Sequence, residues 1–301
     1  MRVGYFPGCS LHATSREYAE SVLAMTGALG VELFEIEDWA CCGATSAHAT
    51  NHLLGVALPA RTLALAAEQG HEQVLAPCAA CFNRLAAARH ELRKDPKIAR
   101  AVENATGRPI QTNVNVLSIV KLLQDLKATI REKTVRPLKG LKAACYYGCL
   151  LARPKELTDL DDVEMPSSME DVVKATGATP VAWNRRLDCC GGGFSLSRTS
   201  SVVRLSRTIL EDARDAGADL LVVACPMCHS NLDFRQKAIA KRAEDPTTLP
   251  ILFLSQVVGL ALGEGPLELG LDRHFVTTEK ITSCLPEIEE QKNVTTGEAD
   301  Q

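Results

Sequence analysis

The chain has 301 residues, is 46% hydrophobic and 23% charged, and carries a formal net charge of -4, an ordinary balance for a globular protein with room for two domains. Acids and bases are interspersed, so nothing points to nucleic-acid binding. The longest apolar stretch, Leu249 to Gly263, falls short of the roughly 20 residues a membrane span needs; it is read as a packed helix, and no transmembrane segment is expected.

In chain order, Val3-Gly4-Tyr5-Phe6 reads as a short buried strand ending at Pro7-Gly8-Cys9. A helix is expected to start at a capping box, Thr14 with Glu17, and to stop at Gly30. Val31 to Ile36 is a second strand and leads to Cys41-Cys42. A helical stretch covers Ala47 to Gln69, a third strand spans Gln73 to Ala76, and a helix carries Phe82 to Arg93. Lys94 to Gly140 is read as a connector holding a helix over Val116 to Leu126 and the basic stretch Lys127 to Lys139.

The same order then returns. Leu141 to Tyr146 is a strand leading to Gly148-Cys149, and Ser168 with Asp171 begins a helix that stops near Gly177. Thr179 to Trp183 is a strand, Ser200 to Ala216 a helix, Asp219 to Ala224 a strongly apolar strand, and His229 to Arg242 a helix. Each half reads strand–helix three times, which predicts an α/β fold with parallel sheets and right-handed crossovers. The expected division is residues 1–130, residues 131–285 and a polar tail over 286–301.

The cysteines follow this repeat. Cys9, the adjacent pair Cys41-Cys42 before Gly43, and Cys78-x-x-Cys81 form one set. Cys149, the pair Cys189-Cys190 before Gly191, and Cys225-x-x-Cys228 form the other, so ten of the twelve cysteines are used. Met1-Arg2-Val3-Gly4-Tyr5 does not read as a secretory signal, so a cytoplasmic location is expected, where metal binding is favoured over disulfides. Tetrahedral zinc and ordinary iron–sulfur clusters each take four ligands. Five thiolates with an adjacent pair suit an extended multi-iron cluster, whose irons can be reached separately; a pair of zinc sites stapling a scaffold is the alternative. Every set lies at strand carboxyl ends, where parallel sheets bind their ligands and where helix N-termini favour anions.

Phe6-Pro7-Gly8-Cys9, Ala40-Cys41-Cys42-Gly43, Ala76-Pro77-Cys78-Ala79-Ala80-Cys81, Tyr146-Tyr147-Gly148-Cys149, Asp188-Cys189-Cys190-Gly191-Gly192 and Ala224-Cys225-Pro226-Met227-Cys228 together resemble the B-type subunit of heterodisulfide reductase, a family built from two cysteine-rich CCG domains. The resemblance runs to Leu271-Asp272-Arg273-His274 and covers nearly the whole chain. It implies that Cys9, Cys41, Cys42, Cys78 and Cys81 hold one noncubane 4Fe-4S cluster and that Cys149, Cys189, Cys190, Cys225 and Cys228 hold a second. It also implies cleavage or formation of an S–S bond between them, and two partners: a small subunit with two cubane 4Fe-4S clusters and a flavin subunit. The chain itself carries no flavin or nicotinamide signature; Gly191-Gly192-Gly193 is not a complete dinucleotide fingerprint, and no ferredoxin run is present. Related CCG subunits serve lactate and succinate:quinone oxidoreductases, so a pure electron-relay role is the alternative function.

Around the motifs, His12, His48 and His229 are candidates to tune a cluster or protonate a leaving thiolate. Arg153, Arg185, Arg186 and Arg198 are candidates to neutralise cluster charge or hold an anionic sulfur substrate. Cys145 is expected to be a structural thiol of its strand and Cys284 a free surface thiol. The loops Gly8–His12, Gly43–His48, Gly148–Arg153, Gly191–Arg198 and Met227–His229 are expected to line one cleft between the halves.

Overall fold

A computed structural model describes residues 1–243 and 248–285; the expected polar tail over 286–301 lies outside the described residues. The first half runs β1 (Arg2–Tyr5), α1 (Gly8–His12), α2 (Arg16–Leu29), β2 (Glu32–Glu35), α3 (Ala47–Thr50), α4 (His52–Glu68), β3 (Gln73–Leu75), α5 (Ala79–Lys94), α6 (Pro96–Thr106), β4 (Asn115–Leu117), α7 (Ile119–Asp125) and α8 (Lys127–Lys133). The second half runs β5 (Lys142–Tyr146), α9 (Gly148–Ala152), α10 (Ser168–Ala175), β6 (Thr179–Pro180), α11 (Thr199–Asp215), β7 (Leu220–Val223), α12 (Pro226–Phe234), α13 (Gln236–Ala243), β8 (Ile251–Phe253), α14 (Leu254–Ala261) and α15 (Glu279–Thr282). Both sheets are wholly parallel, ordered β2-β1-β3-β4 and β6-β5-β7-β8. The two orders are the same when each half is numbered from its own first strand. In both, the chain reverses direction of sheet growth between the first and third strands, the place where doubly wound folds open a ligand crevice.

Among the described residues each half therefore has four strands, one more than the sequence pattern indicates. The segment read as a connector supplies β4, and only Ile119–Asp125 of the helix expected over Val116 to Leu126 is helical. Leu249 to Gly263 likewise opens with β8 before turning into α14. In both places a three-residue strand runs directly into an apolar helix, too short to show a period of two before the helical period takes over. The expected capping box at Thr14 is also replaced: Ser15 is the N-cap of α2 and makes no side-chain cap bond, while Gly30 ends the helix in the left-handed conformation as expected. The stretch from Ala47 breaks at Asn51, whose side chain caps α4 through the Leu54 N–H at 2.9 Å.

The helix that follows the fourth strand of each half packs on the first long helix of the other half. Thus α14 lies against α2, and α7 with α8 lies against α10. Ser21 and Ser255 meet across the first contact with their hydroxyls 2.7 Å apart; Gln124 donates to Asp171 across the second, at 3.2 Å. One continuous apolar core consequently runs through both sheets. At its centre the fully buried rings of Tyr18 and Phe253 stack 3.9 Å apart at 6°, and Phe253 also stacks on His229 at 4.3 Å and 19°. A ring can stack that closely with two others only through its opposite faces. The Tyr18 hydroxyl donates to Pro77 O at 3.0 Å, so this stack ties the residue preceding Cys78 to the residue following Cys228. Tyr18→Ala should lower unfolding free energy by about 3–5 kcal/mol, whereas Tyr18→Phe keeps the stack and should cost about 1–2 kcal/mol for the lost hydrogen bond. Anaerobic urea denaturation of the two variants measures the difference; equal losses would mean that the stack contributes little.

Candidate metal centre

Cys9, Cys149 and both C-x-x-C pairs lie just past the carboxyl ends of strands, and the adjacent pairs Cys41-Cys42 and Cys189-Cys190 lie further along the loops that follow β2 and β6. Cys9 is in α1 directly after β1, and Cys149 is in α9 directly after β5. Cys78 and Cys225 are the N-cap residues of α5 and α12, so Cys81 and Cys228 sit in the first turns of those helices. Within each half the second cysteine of the adjacent pair meets the second cysteine of the C-x-x-C: Cys42 Sγ is 3.4 Å from Cys81 Sγ, and Cys190 Sγ is 3.4 Å from Cys228 Sγ. Cys149 Sγ and Cys189 Sγ are 4.0 Å apart. Cys42, Cys78, Cys81, Cys190, Cys225 and Cys228 are buried; Cys9, Cys41 and Cys189 are exposed, and Cys149 is half-buried. Each set is thus closed on its C-x-x-C side and open on the other.

Glycine makes this packing possible at one position per half. Gly8 and Gly148 both have φ +67, and a Cβ would lie 2.8 Å from Cys81 Sγ at Gly8 and 3.3 Å from Cys228 Sγ at Gly148. The backbone can approach the sulfurs only because nothing projects there.

The electrostatics of the thiols show sulfurs competing for protons inside a small volume. Cys42 is lowered to about 7, first by the Cys81 thiol, with the Ala44 N–H and the Arg84 guanidinium assisting against burial. Cys189 is lowered to about 6, first by the Cys149 thiol, with the Gly191 and Gly192 N–H groups assisting. Cys81 is pushed well above the usual thiol range by Cys42 and Cys78, and Cys228 by Cys190 and Cys225. Cys78 is raised first by the Cys225 thiol of the other half. The two sets therefore adjoin through their N-cap cysteines, across the boundary between the sheets. None of the twelve cysteines is in a disulfide. Five clustered thiols cannot all ionise without compensating positive charge, and backbone N–H groups already point at several of them. This donor set fits a thiolate-bound metal cluster.

The other candidates are not drawn to the sulfurs equally. His12 is exposed, with Nε2 3.0 Å from Glu35 Oε1 and its ring edge-on to Trp39. His48 is exposed, Nδ1 lying 3.5 Å from Gly43 O. Arg198 is exposed and serves α11 as its N-cap residue, its own N–H donating to Phe194 O at 2.9 Å. Arg153, Arg185 and Arg186 pair with Glu164 (3.7 Å), Asp188 (2.8 Å) and Glu170 (3.4 Å). Cys145 is buried in β5, its thiol pushed up by burial, as expected of a structural residue. Cys284 is exposed.

His229 is buried in a network that the sequence does not disclose. Gln256 Nε2 donates to His274 Nε2 at 2.8 Å and to Leu269 O at 3.0 Å, while Gln256 Oε1 accepts from Phe253 N. Neutral His274 then carries its proton on Nδ1, and His229 Nε2 lies 3.2 Å from the accepting Ile251 O and 3.3 Å from His274 Nδ1. Burial holds His274 down to about 4 and His229 well below the usual range. Asp233, one turn along α12 from His229, accepts from Phe275 N at 2.7 Å and Val276 N at 3.1 Å and is pushed up to about 6 by burial. Together these residues clamp the segment 269–276 onto the second C-x-x-C helix.

Two further residues act on the site itself. Asn231 donates to Cys190 O at 3.3 Å and faces Cys190 Sγ at 3.7 Å. Asn83, two residues after Cys81, donates to Leu150 O at 3.2 Å and Arg153 O at 2.9 Å, so it bridges the first C-x-x-C helix to the Cys149 loop. A cavity of about 640 Å³ sits at the amino ends of the second sheet, beside Gly140, Asp219 and Pro250. Another of about 380 Å³ lies between the start of α2 and the His229-Ser230 turn, so of the expected loops it takes in only Met227–His229.

The sequence matches the cysteine-rich domain family CCG over residues 3–86 and again over 143–233. It is 36% identical over 278 residues to the 8-methylmenaquinol:fumarate reductase membrane anchor subunit of Wolinella succinogenes, covering 92% of this chain and 98% of that one. It is 30% identical over 270 residues to the B-type subunit of the ferredoxin:CoB-CoM heterodisulfide reductase of Methanosarcina mazei, covering 86% and 89%. The crystal structure of a hypothetical protein from Helicobacter pylori shares the fold, with a TM-score of 0.75 at 14% identity; the match covers 92% of this chain and 52% of that one. With one matched repeat on each sheet and relatives aligned along nearly their full lengths, this chain is a member of the CCG cysteine-rich domain family, of the two-repeat type found in the B-type subunit of heterodisulfide reductase.

Proposed function

We propose that the chain is the iron–sulfur subunit of a heterodisulfide reductase-like oxidoreductase complex, in which an S–S bond is cleaved or formed between two noncubane 4Fe-4S clusters. The supporting observation is the pair of five-thiol sets, alike in sulfur spacing and glycine conformation, adjoining at Cys78 and Cys225. Cys9, Cys41, Cys42, Cys78 and Cys81 would hold one cluster, and Cys149, Cys189, Cys190, Cys225 and Cys228 the other. Clusters so held supply one-electron transfers, two of which are needed to reduce a disulfide to two thiolates. The chain's own part is to bury the C-x-x-C sulfurs, aim N–H groups of Gly43, Ala44, Gly191 and Gly192 at the paired cysteines, and leave Cys9, Cys41 and Cys189 facing outward. Electrons would pass to and from a small subunit with cubane clusters and a flavin subunit, in the cytoplasm. No helix among the described residues is long and apolar enough to cross a membrane.

The relative named as a fumarate reductase subunit, at 36% identity, favours a second reading, an electron relay without sulfur chemistry. Anaerobically purified protein should contain about eight irons per chain in two clusters; about two zincs with little iron would return the zinc-stapled scaffold. A disulfide added to the reduced protein should change the cluster EPR signal and release thiol. Two iron clusters indifferent to disulfide would establish the relay.

A further inference from the structure

We propose that Asn83, on the first C-x-x-C helix, is a positioning residue for the cluster of the other half: it holds the Cys149 ligand loop in place, and no equivalent contact runs back to the Cys9 loop. This rests on the two-cluster reading above. Asn83 is 1% exposed. Its Nδ2 donates to Leu150 O at 3.2 Å and to Arg153 O at 2.9 Å. Leu150 belongs to α9, the short helix that carries Cys149, and Arg153 is its C-cap residue. The last carbonyls of a helix have no partner within it, and here one amide from the other half takes two of the carbonyls at that end. Arg84 donates to Asn83 Oδ1 at 2.7 Å, which fixes the oxygen on the Arg84 side and aims both N–H protons at α9. Further along the same loop, Asp159 accepts from Ser118 N and Ser118 Oγ, each at 2.8 Å. The chain that follows Cys149 is thus tied to the first half at two points.

The reverse contact is not made. Ser230 stands to Cys228 as Asn83 stands to Cys81, two residues on in the same turn of the helix. Ser230 is exposed, and its hydroxyl has no hydrogen-bond partner among the described residues. Serine offers one proton on a shorter side chain where asparagine offers two. Where the repeat would bring it against the Cys9 loop lies the cavity of about 380 Å³, lined by Ala13, Thr14 and Ser15 on one side and by His229 and Ser230 on the other. Likewise α5 packs on α9, whereas α12 does not pack on α1 to a comparable extent. The loop after Cys9 is held from within its own half: the N–H groups of Ala13 and Ser15 donate to Ser10 O at 3.2 and 2.8 Å, and His12 meets Glu35. The two thiols differ accordingly, Cys149 being half-buried and Cys9 exposed.

Chelator-driven iron release and hydrogen–deuterium exchange test this, both on the full-length protein purified anaerobically. Each cluster is followed alone, the second in Cys81→Ala and the first in Cys189→Ala. Asn83→Asp keeps the size of the side chain and its contact with Arg84 but gives up the amide donors. It should speed iron release from the second cluster about tenfold, the scale of one or two lost buried hydrogen bonds. Release from the first cluster, on whose own helix the substitution lies, should stay unchanged. Exchange should rise at residues 148–153 and not at 8–13, and Ser230→Ala should alter neither cluster. Equal acceleration of both clusters would make Asn83 a packing residue of the whole fold, and unchanged release from the second would mean that Asp159 and Ser118 suffice to hold the loop; either result overturns the proposal. Should Asn83→Asp fail to fold, Asn83→Ala is read in the same way. A preparation without iron would overturn the two-cluster reading alone, because exchange at 148–153 still decides what Asn83 holds.

Discussion

Cys81→Ala should lose about half of the bound iron, keep the ability to accept an electron, and fail to cleave a disulfide. Cys81 is 4% exposed and lies at the closed end of the first thiol set, 3.4 Å from Cys42, with Gly8 pressed against its sulfur. The second set draws all five of its thiols from residues 149–228, so its iron should survive the substitution. If each sulfur of a disulfide needs its own cluster, thiol release should fall on the order of 10²–10³-fold, the scale of removing one preorganised stabiliser of a reacting centre. Stopped-flow reduction followed by a thiol-release assay separates the steps. Normal thiol release with the second-half cluster alone would show that one cluster suffices and reduce the first to a relay.

Gly8→Ala should have a similar effect on iron without removing any sulfur. The residue would be held at φ +67, which costs a side chain about 1–2 kcal/mol, and its Cβ would lie 2.8 Å from Cys81 Sγ, too close for either atom to stay in place. Gly30→Ala is the control, since Gly30 has φ +77 but nothing within 4 Å of the added carbon. Both variants bear the cost of the positive φ, and only Gly8→Ala should lose the first cluster and the further stability that goes with it. Gly148→Ala, with 3.3 Å to Cys228 Sγ, should weaken the second cluster less. Full iron content in Gly8→Ala would mean that the loop moves aside freely and that the glycine serves the turn alone.

The thiol sets are legible in the sequence because the cysteines and their glycines are close along the chain to the strands that deliver them. The order strand, thiol, helix can be read from Val3 to Cys9 and again from Leu141 to Cys149 without any long-range information. What cannot be read depends on contacts between distant segments. Asn115–Leu117 and Ile251–Phe253 become strands because a neighbouring edge accepts them; their own three residues carry no distinguishing pattern. Glu17 reads as half of a capping box, yet it is buried where Gly270 lies so close that a Cβ there would be 2.7 Å from the Glu17 Cβ. His274 reaches His229 from 45 residues away, and Asn83 finds carbonyls 67 and 70 residues on.

The exchange of helices between the halves has a consequence for assembly. Because α14 covers α2 while α7 and α8 cover α10, the contact is self-complementary in the manner of a twofold dimer interface. Such a contact closes on itself. The two repeats satisfy it between themselves. On the proposed function, proteins that exchange electrons with this one would attach to surfaces the repeats do not use on each other, and the outward-facing rim around Cys9, Cys41 and Cys189 is where such attachment would bring them nearest to the thiol sets.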